Sequence, residues 1–283
     1  MSKSIKAPNF MNGLTQRLLT VAVLMPVVVW VVLFSPESVF LFVLSAIIAV
    51  GAYEWGGLSG FNCPIKKSAF ALIVLAIGHT VNGLDSNALY LLSSASLVFW
   101  IIFIALVIAK PNYLLKAPLS QPLVALLGIV VVCLTFVALF QIRTSYEQGV
   151  ALLMYLLLLV WAADSGAYFA GHFFGKNKLS PVISPSKSIE GVIGGLLTCL
   201  VFAFAGGPFL IAEDRFLFIV LSLFVAFVSV YGDLFESLMK RRVNFKDSGS
   251  ILPGHGGVLD RIDSLIAAAP VFLACLMLSG LFK

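Results

Sequence analysis

The chain has 283 residues, of which 60% are hydrophobic and only 11% charged, with 18 Lys and Arg against 13 Asp and Glu and a mean hydropathy of +1.07. That leaves too little polar surface to coat a water-facing exterior, so a soluble globular domain is excluded, and apolar runs that are continuous rather than alternating exclude a β-barrel. The remaining class is an all-α polytopic membrane protein, because backbone amides in hydrocarbon must satisfy one another within helices.

In chain order, nine apolar runs are read as spans, and all but the third reach the roughly 17 residues at the lower end of what crosses about 30 Å of hydrocarbon at roughly 1.5 Å per residue. They lie near 18–34, 38–59, 69–84, 88–109, 119–141, 148–171, 189–210, 216–239 and 258–282, the third being the shortest. The first follows a polar segment with Lys3, Lys6 and Arg17 and lacks a small-x-small cleavage site, so it reads as an uncleaved span. Fourteen of the 18 Lys and Arg fall at the N-terminus or in the loops after spans two, four, six and eight. The opposite loops and C-terminus carry Arg143, Arg215 and Lys283, while Arg261 lies within the start of span nine. This bias predicts a cytoplasmic N-terminus.

The spans divide into an N-terminal set at 1–117, a linking fifth span at 118–147 and a C-terminal set at 148–283. The last contains the two longest and most basic connections, 172–188 and 240–257. Cys63, Cys133, Cys199 and Cys275 show neither zinc nor disulfide spacing and are read as packing residues. Gly191 and Gly195 form a GxxxG pair, expected to bring helices close within the bundle or between subunits.

Ionisable groups inside spans cost roughly 2.5–3.5 kcal/mol at the bilayer centre on insertion scales, so those retained are candidates for function. Here they are Glu54, Asp164, Asp233, Glu236, Asp260, Arg261 and Asp263. Asp233, Ser237 and Lys240 share a helix face at i, i+4, i+7, with Glu236 and Arg241 flanking it. Asp260 and Asp263 are i, i+3 at the start of span nine, so their carboxylates are expected to project together. If spans eight and nine pack antiparallel, Asp233, Asp260 and Asp263 meet at a point where mutual repulsion demands a positive partner. Mg²⁺ suits such oxygen ligands and completes its shell with phosphate and water. The alternative is a structural ion-pair cluster in which Arg261 and Lys240 neutralise the acids.

Between these helices, Lys240, Arg241, Arg242 and Lys246 offer positive charge, which the loop-charge bias alone also explains. Gly254, Gly256 and Gly257 lead into the N-terminus of span nine and are expected to let backbone N–H groups approach an anion. Upstream, Asp164 and Tyr168 share a face at i, i+4, Lys176 and Lys187 lie on the loop, and Glu190 starts span seven. The segment GHFFGKN is not a P-loop: it has three residues between its glycines, and Asn177 stands where a Ser or Thr is required. Of the histidines, His79 reads as structural and His172 as interfacial. His255, between glycines and beside the acids, is the candidate phosphate ligand or proton carrier.

The series Ser237, Lys240 and Arg241, then Lys246 and Asp247, then Pro253, His255, Gly256 and Gly257, then Asp260, Arg261 and Asp263 resembles the signature of the phosphatidate cytidylyltransferase (CDP-diacylglycerol synthase) family in residue type and spacing. Asp164, Tyr168, Gly175, Lys176, Ser184, Pro185, Lys187, Glu190 and Gly191 also look like that family, with departures at Ser186 and Ile189. The resemblance covers about the last 120 residues of the sequence. It implies transfer of a cytidylyl group from CTP to phosphatidic acid in a bacterial inner membrane, with the site facing the cytoplasm, no nucleic-acid partner and a homodimeric enzyme.

It also assigns a divalent ion, Mg²⁺ or Mn²⁺, to Asp233, Asp260 and Asp263, beside a monovalent cation such as K⁺. Lys240, Arg241, Lys246, Asp247, His255 and Arg261 would complete the catalytic set. Asp164, Tyr168, Lys176, Ser184, Lys187, Glu190, Ser237, Gly256 and Gly257 would bind substrates. Related enzymes acting on other lipid phosphates, CTP-dependent lipid kinases and anion transporters are the rival readings. The last is disfavoured because no repeated halves are visible and the charge gathers in the C-terminal third.

Overall fold

The structure, a computed structural model, describes residues 10–206, 210, 214–251 and 256–282. The helices are α1 (Phe10–Phe34), α2 (Glu37–Leu58), α3 (Pro64–Asn82), α4 (Ser86–Ala109), α5 (Pro111–Lys116), α6 (Gln121–Thr144) and α7 (Gly149–Phe174), followed by a hairpin of β1 (Lys178–Ser180) and β2 (Ser184–Ser188), then α8 (Ile189–Gly206), α9 (Arg215–Arg242), α10 (Leu259–Ile262) and α11 (Leu265–Ser279). Among the described residues, eight helical stretches are long and apolar enough to span a membrane, with α10 and α11 together forming the last, Leu259–Ser279. The described part of α1, Ala22–Phe34, is a shorter apolar helix. Each predicted run falls on one of these elements, and the chain is an all-α polytopic integral membrane protein.

Local chemistry sets the helix ends. Asp85 and Asp214 cap α4 and α9 by accepting from the amides of Ala88 (2.9 Å) and Leu217 (3.0 Å), satisfying N–H groups that a helix start leaves unpaired. Pro64 stands in the first turn of α3, where its missing N–H costs nothing, and Gly280 closes α11 in the left-handed region at φ 62°. Phe42, Ile65, Phe204 and Phe216 are all more than 70% exposed, as expected of side chains facing lipid rather than water.

The core is α11. Every residue from Leu265 to Leu276 is buried, and a helix apolar on all sides has no face left for solvent. It packs on α4, α6 and α9, with a lesser contact to α7. Residues Asp263 and Ser264 form a turn between α10 and α11, where span nine had been expected to run as one helix.

Glycines decide two crossings. A Cβ on Gly191 would lie 2.9 Å from the Ala167 carbonyl oxygen, and one on Gly195 would lie 2.8 Å from that of Ala163. The GxxxG pair therefore seats α8 on α7 within the chain. Gly128 leaves room for Trp55, whose Nε1 donates to the Val124 carbonyl at 2.9 Å and ties α2 to α6.

Phe235 fixes the rotation of α9. Its ring meets Trp55, Phe99, Trp100 and Phe103 at centroid distances of 5.7, 6.0, 5.5 and 5.0 Å. Two positions along a helix are about 200° apart, so anchoring Phe235 against α2 and α4 turns Asp233 to the other side, toward α8 and α10. Arg143 braces the opposite end. It donates to the Val32 and Ser35 carbonyls (3.1 and 2.6 Å) with its guanidinium 4.5 Å above the Phe40 ring, so this loop-end cation is a buried structural tie.

Three features differ from expectation. α9 continues through Arg242, which puts Lys240, Arg241 and Arg242 on its last turn rather than in the loop. The short α5 is held by Arg242, which donates to the carbonyls of Leu114, Leu115 and Ala117. The connection after α7 folds as an antiparallel hairpin pairing Lys178 with Ser188 and Ser180 with Ser184.

Candidate active site

The hairpin delivers a lysine to the helices. Lys187 lies on β2, and Glu190, just past that strand, ties down the entry to the hairpin by accepting from the amides of Lys176 (3.2 Å) and Asn177 (3.1 Å) and from the Asn177 side chain (2.7 Å). Ser188 accepts from the amide of Gly191 at 3.1 Å in the first turn of α8. So fixed, Lys187 reaches α9, where Nζ stands 2.7 Å from Asp233 Oδ2 and donates to the Val230 carbonyl at 3.1 Å. Ser237 Oγ donates to the other Asp233 oxygen at 3.2 Å.

Gly232 brings Asp263 to the same place. A Cβ there would fall 2.6 Å from the Asp263 carbonyl oxygen and 3.1 Å from that of Ser264, so only glycine lets α9 press onto the turn between α10 and α11. Asp263 accepts from the amide of Ser264 at 2.7 Å and feels the charges of Asp233, Lys187 and Asp164. Asp164, on α7, feels those of Lys187, Asp233 and Arg261. Lys187 thus pairs with Asp233, and Asp164 and Asp263 lie within electrostatic range of that pair, with Arg261 near Asp164. Asp164 is exposed on its helix, and Asp233 and Lys187 keep 28% and 22% of their side-chain surface open, so the cluster is reachable from outside.

Asp260 is engaged by other partners. Its Oδ1 meets Lys240 Nζ at 2.6 Å, and its Oδ2 accepts from the amides of Ser248 (2.9 Å) and Gly257 (2.8 Å). Lys240 also pairs with the fully buried Glu236. Glu236 feels the charges of both Asp263 and Asp260, so the two acids of span nine flank it, Asp263 toward Asp233 and Asp164 and Asp260 held on Lys240. Lys240 is only 8% exposed and is already engaged by Glu236 and Asp260.

The turn into α10 is likewise filled from within. Val258 and Leu259 donate their amides to Glu54 at 3.1 and 2.7 Å, and Ser248 Oγ reaches the same carboxylate at 3.3 Å. The Gly257 amide, expected to face an external anion, thus faces Asp260 of this chain and the next two amides face Glu54, while Gly254 lies outside the described residues. Gly256 takes φ +83°, and a Cβ on it would lie 2.7 Å from Asp260 Oδ2 and 3.4 Å from Asp247 Cβ. Glu54 stood among the intramembrane charges in the sequence but was not placed in the site; its only local signal was a carboxylate inside an apolar run.

The remaining candidates sit around the rim. Arg241, Lys246, Asp247 and Lys176 are exposed, with Arg241 donating to the Phe245 carbonyl at 3.3 Å. Tyr168 is exposed and stacks on His172 at 6.1 Å, and Ser184 is buried within the hairpin. His255 lies outside the described residues. Among the described residues, no three His, Cys, Asp or Glu side chains form a ready-made metal-holding group.

A profile of the cytidylyltransferase family matches residues 15–279 of the chain. The chain is 39% identical over 280 residues to a phosphatidate cytidylyltransferase of Haemophilus influenzae, covering 92% of this chain and 97% of that protein. It is 36% identical to the Pseudomonas aeruginosa protein of the same name (94% and 98% covered) and 33% identical to the Thermotoga maritima one (96% and 100% covered). The match reaches well beyond the C-terminal stretch whose motifs are legible by eye.

Proposed function

The chain belongs to the cytidylyltransferase family, and on that premise we propose that it transfers a cytidylyl group from CTP to phosphatidic acid at the cytoplasmic face of a bacterial inner membrane. A phosphate oxygen of the lipid forms a bond to the α-phosphorus of CTP. The bond from that phosphorus to the bridging oxygen breaks, and pyrophosphate departs with the electron pair, leaving CDP-diacylglycerol in the bilayer. Both reactants are anions, so the barrier falls through charge neutralisation and alignment rather than covalent help.

The observation that carries this reading is the partly exposed Asp233–Lys187 pair with Asp164 and Asp263 in electrostatic range of it, built on membrane-spanning helices where a bilayer-anchored headgroup can meet it. Asp164 is ten residues short of the end of α7, roughly 15 Å along the axis at 1.5 Å per residue. The basic loops favour the cytoplasmic side. The donor chemistry suits a divalent cation of the sparsely ligated kind: hard carboxylate oxygens, too few to cage an ion, which would complete its shell with phosphate and water. Asp233 and Asp263 would hold Mg²⁺ or Mn²⁺, and the bound ion would offset charge on the substrate phosphates.

The chain's own groups do the rest. Lys187 and Arg261 supply positive charge beside the carboxylates, so that phosphates approach a balanced rather than a repulsive surface. Arg241 and Lys246, exposed at the rim, meet the water-borne triphosphate. Asp260 and Lys240 support the loop from beneath.

The test is incubation of purified protein with CTP, phosphatidic acid and Mg²⁺, followed by lipid extraction. Label from the α-phosphate is expected in the lipid. Label from the γ-phosphate instead would identify a kinase, and no labelled lipid with any lipid phosphate would overturn the proposal.

A further inference from the structure

Glu54 lies on α2, far in sequence from the signature residues, yet it is 4% exposed and its partners all lie between Ser248 and Leu259. One carboxylate therefore grips both ends of the segment running from Ser248 to Val258. The grip is close: a Cβ on Gly257 would stand 2.6 Å from each Glu54 oxygen, and Gly249 is pressed against the same group. The adjacent residue, Trp55, is hydrogen-bonded to α6 and stacked on Phe235, two positions after Asp233. Glu54 is thus rigid with respect to the helix that carries Asp233, while its hydrogen bonds end on the loop and on the start of α10.

We infer that Glu54 is a positioning residue for the reaction, a strut from the N-terminal helices that holds Ser248 and the first turn of α10 in register with Asp233. Leu259, whose amide it accepts, is one helical turn before Asp263. The segment it pins starts beside Lys246, an exposed cation on a basic connection outside the spans, so its placement governs the nucleotide more than the bilayer-anchored lipid. A carboxylate that fixes both ends of a loop limits the arrangements the loop samples, and a displacement of about 1 Å at a reacting centre can cost on the order of 10²-fold in rate.

The inference rests on the cytidylyl-transfer reading, and its test separates the two. In purified Glu54→Ala the KM for CTP rises about tenfold while the KM for phosphatidic acid stays near that of the parent protein, in line with loss of alignment for one substrate. Glu54→Gln, which keeps one acceptor oxygen and the shape, falls between. Hydrogen exchange speeds up in residues 246–259 and not in α7 and α8. If Glu54→Ala does not fold, Ser248→Ala removes one of the three bonds and carries the same measurements. Unchanged KM values with only less active enzyme, or unchanged exchange in 246–259, would overturn the inference. If the parent protein makes no liponucleotide the cytidylyl reading fails, while the exchange result still decides whether Glu54 holds the loop.

Discussion

Gly232 packs against the Asp263 carbonyl so closely that an added methyl would lie 2.6 Å from the oxygen. This contact, between backbone and backbone, is what sets the Asp233 and Asp263 side chains beside one another. Gly232→Ala therefore pushes α9 from the α10–α11 turn. The expected outcome is about a 10²-fold loss of kcat with a folded, membrane-inserted protein, because a shift of about 1 Å at reacting groups is enough. Cytidylyl transfer by the purified variant, measured beside its helical content, checks it.

Asp233→Asn and Asp263→Asn each remove a charge from the cluster without changing its volume. Turnover is expected to fall to background while insertion and melting in detergent stay close to the parent. Chelation of divalent ions should likewise stop the parent enzyme, with recovery on adding Mg²⁺. Near-normal turnover of either variant would contradict the proposed roles.

Lys240 serves as a buried counter-charge, so its loss acts on stability. Lys240→Met leaves Glu236 and Asp260 without their cation, and breaking a buried pair in this way costs about 3–5 kcal/mol. Combining it with Glu236→Gln should recover part of that loss. Thermal unfolding in detergent of the two variants measures the difference, and a single variant as stable as the parent would contradict the role.

Arg143→Met removes two charge-assisted hydrogen bonds, one to the last turn of α1 and one to the turn after it, each worth about 1.5–3 kcal/mol. A lowered melting temperature with unchanged KM for both substrates is expected, since the residue belongs to the end of the bundle away from the basic loops.

The helices were legible because an apolar run long enough to span hydrocarbon has almost no other structure open to it. The α5 turn and the β-hairpin were not, being too short to show a period. In the site, Asp233, Asp263, Asp164 and Lys187 all stood out as costly charges or motif positions. Spacing alone did not show how Asp260 is engaged, because its partners, Lys240 and the amides of Ser248 and Gly257, lie outside its own helix. Glu54 escaped assignment because its contacts span more than 190 residues of sequence, a separation that no local pattern encodes.

The helix buried on every side, α11, comes after all of its packing partners in the chain. As the polypeptide emerges from the ribosome, α4, α6, α7 and α9 must wait in the bilayer with their inner surfaces unmatched until that last hydrophobic segment arrives. Biogenesis of the folded protein thus hinges on a late insertion event, and a nascent chain stalled before it is a substrate for membrane quality control.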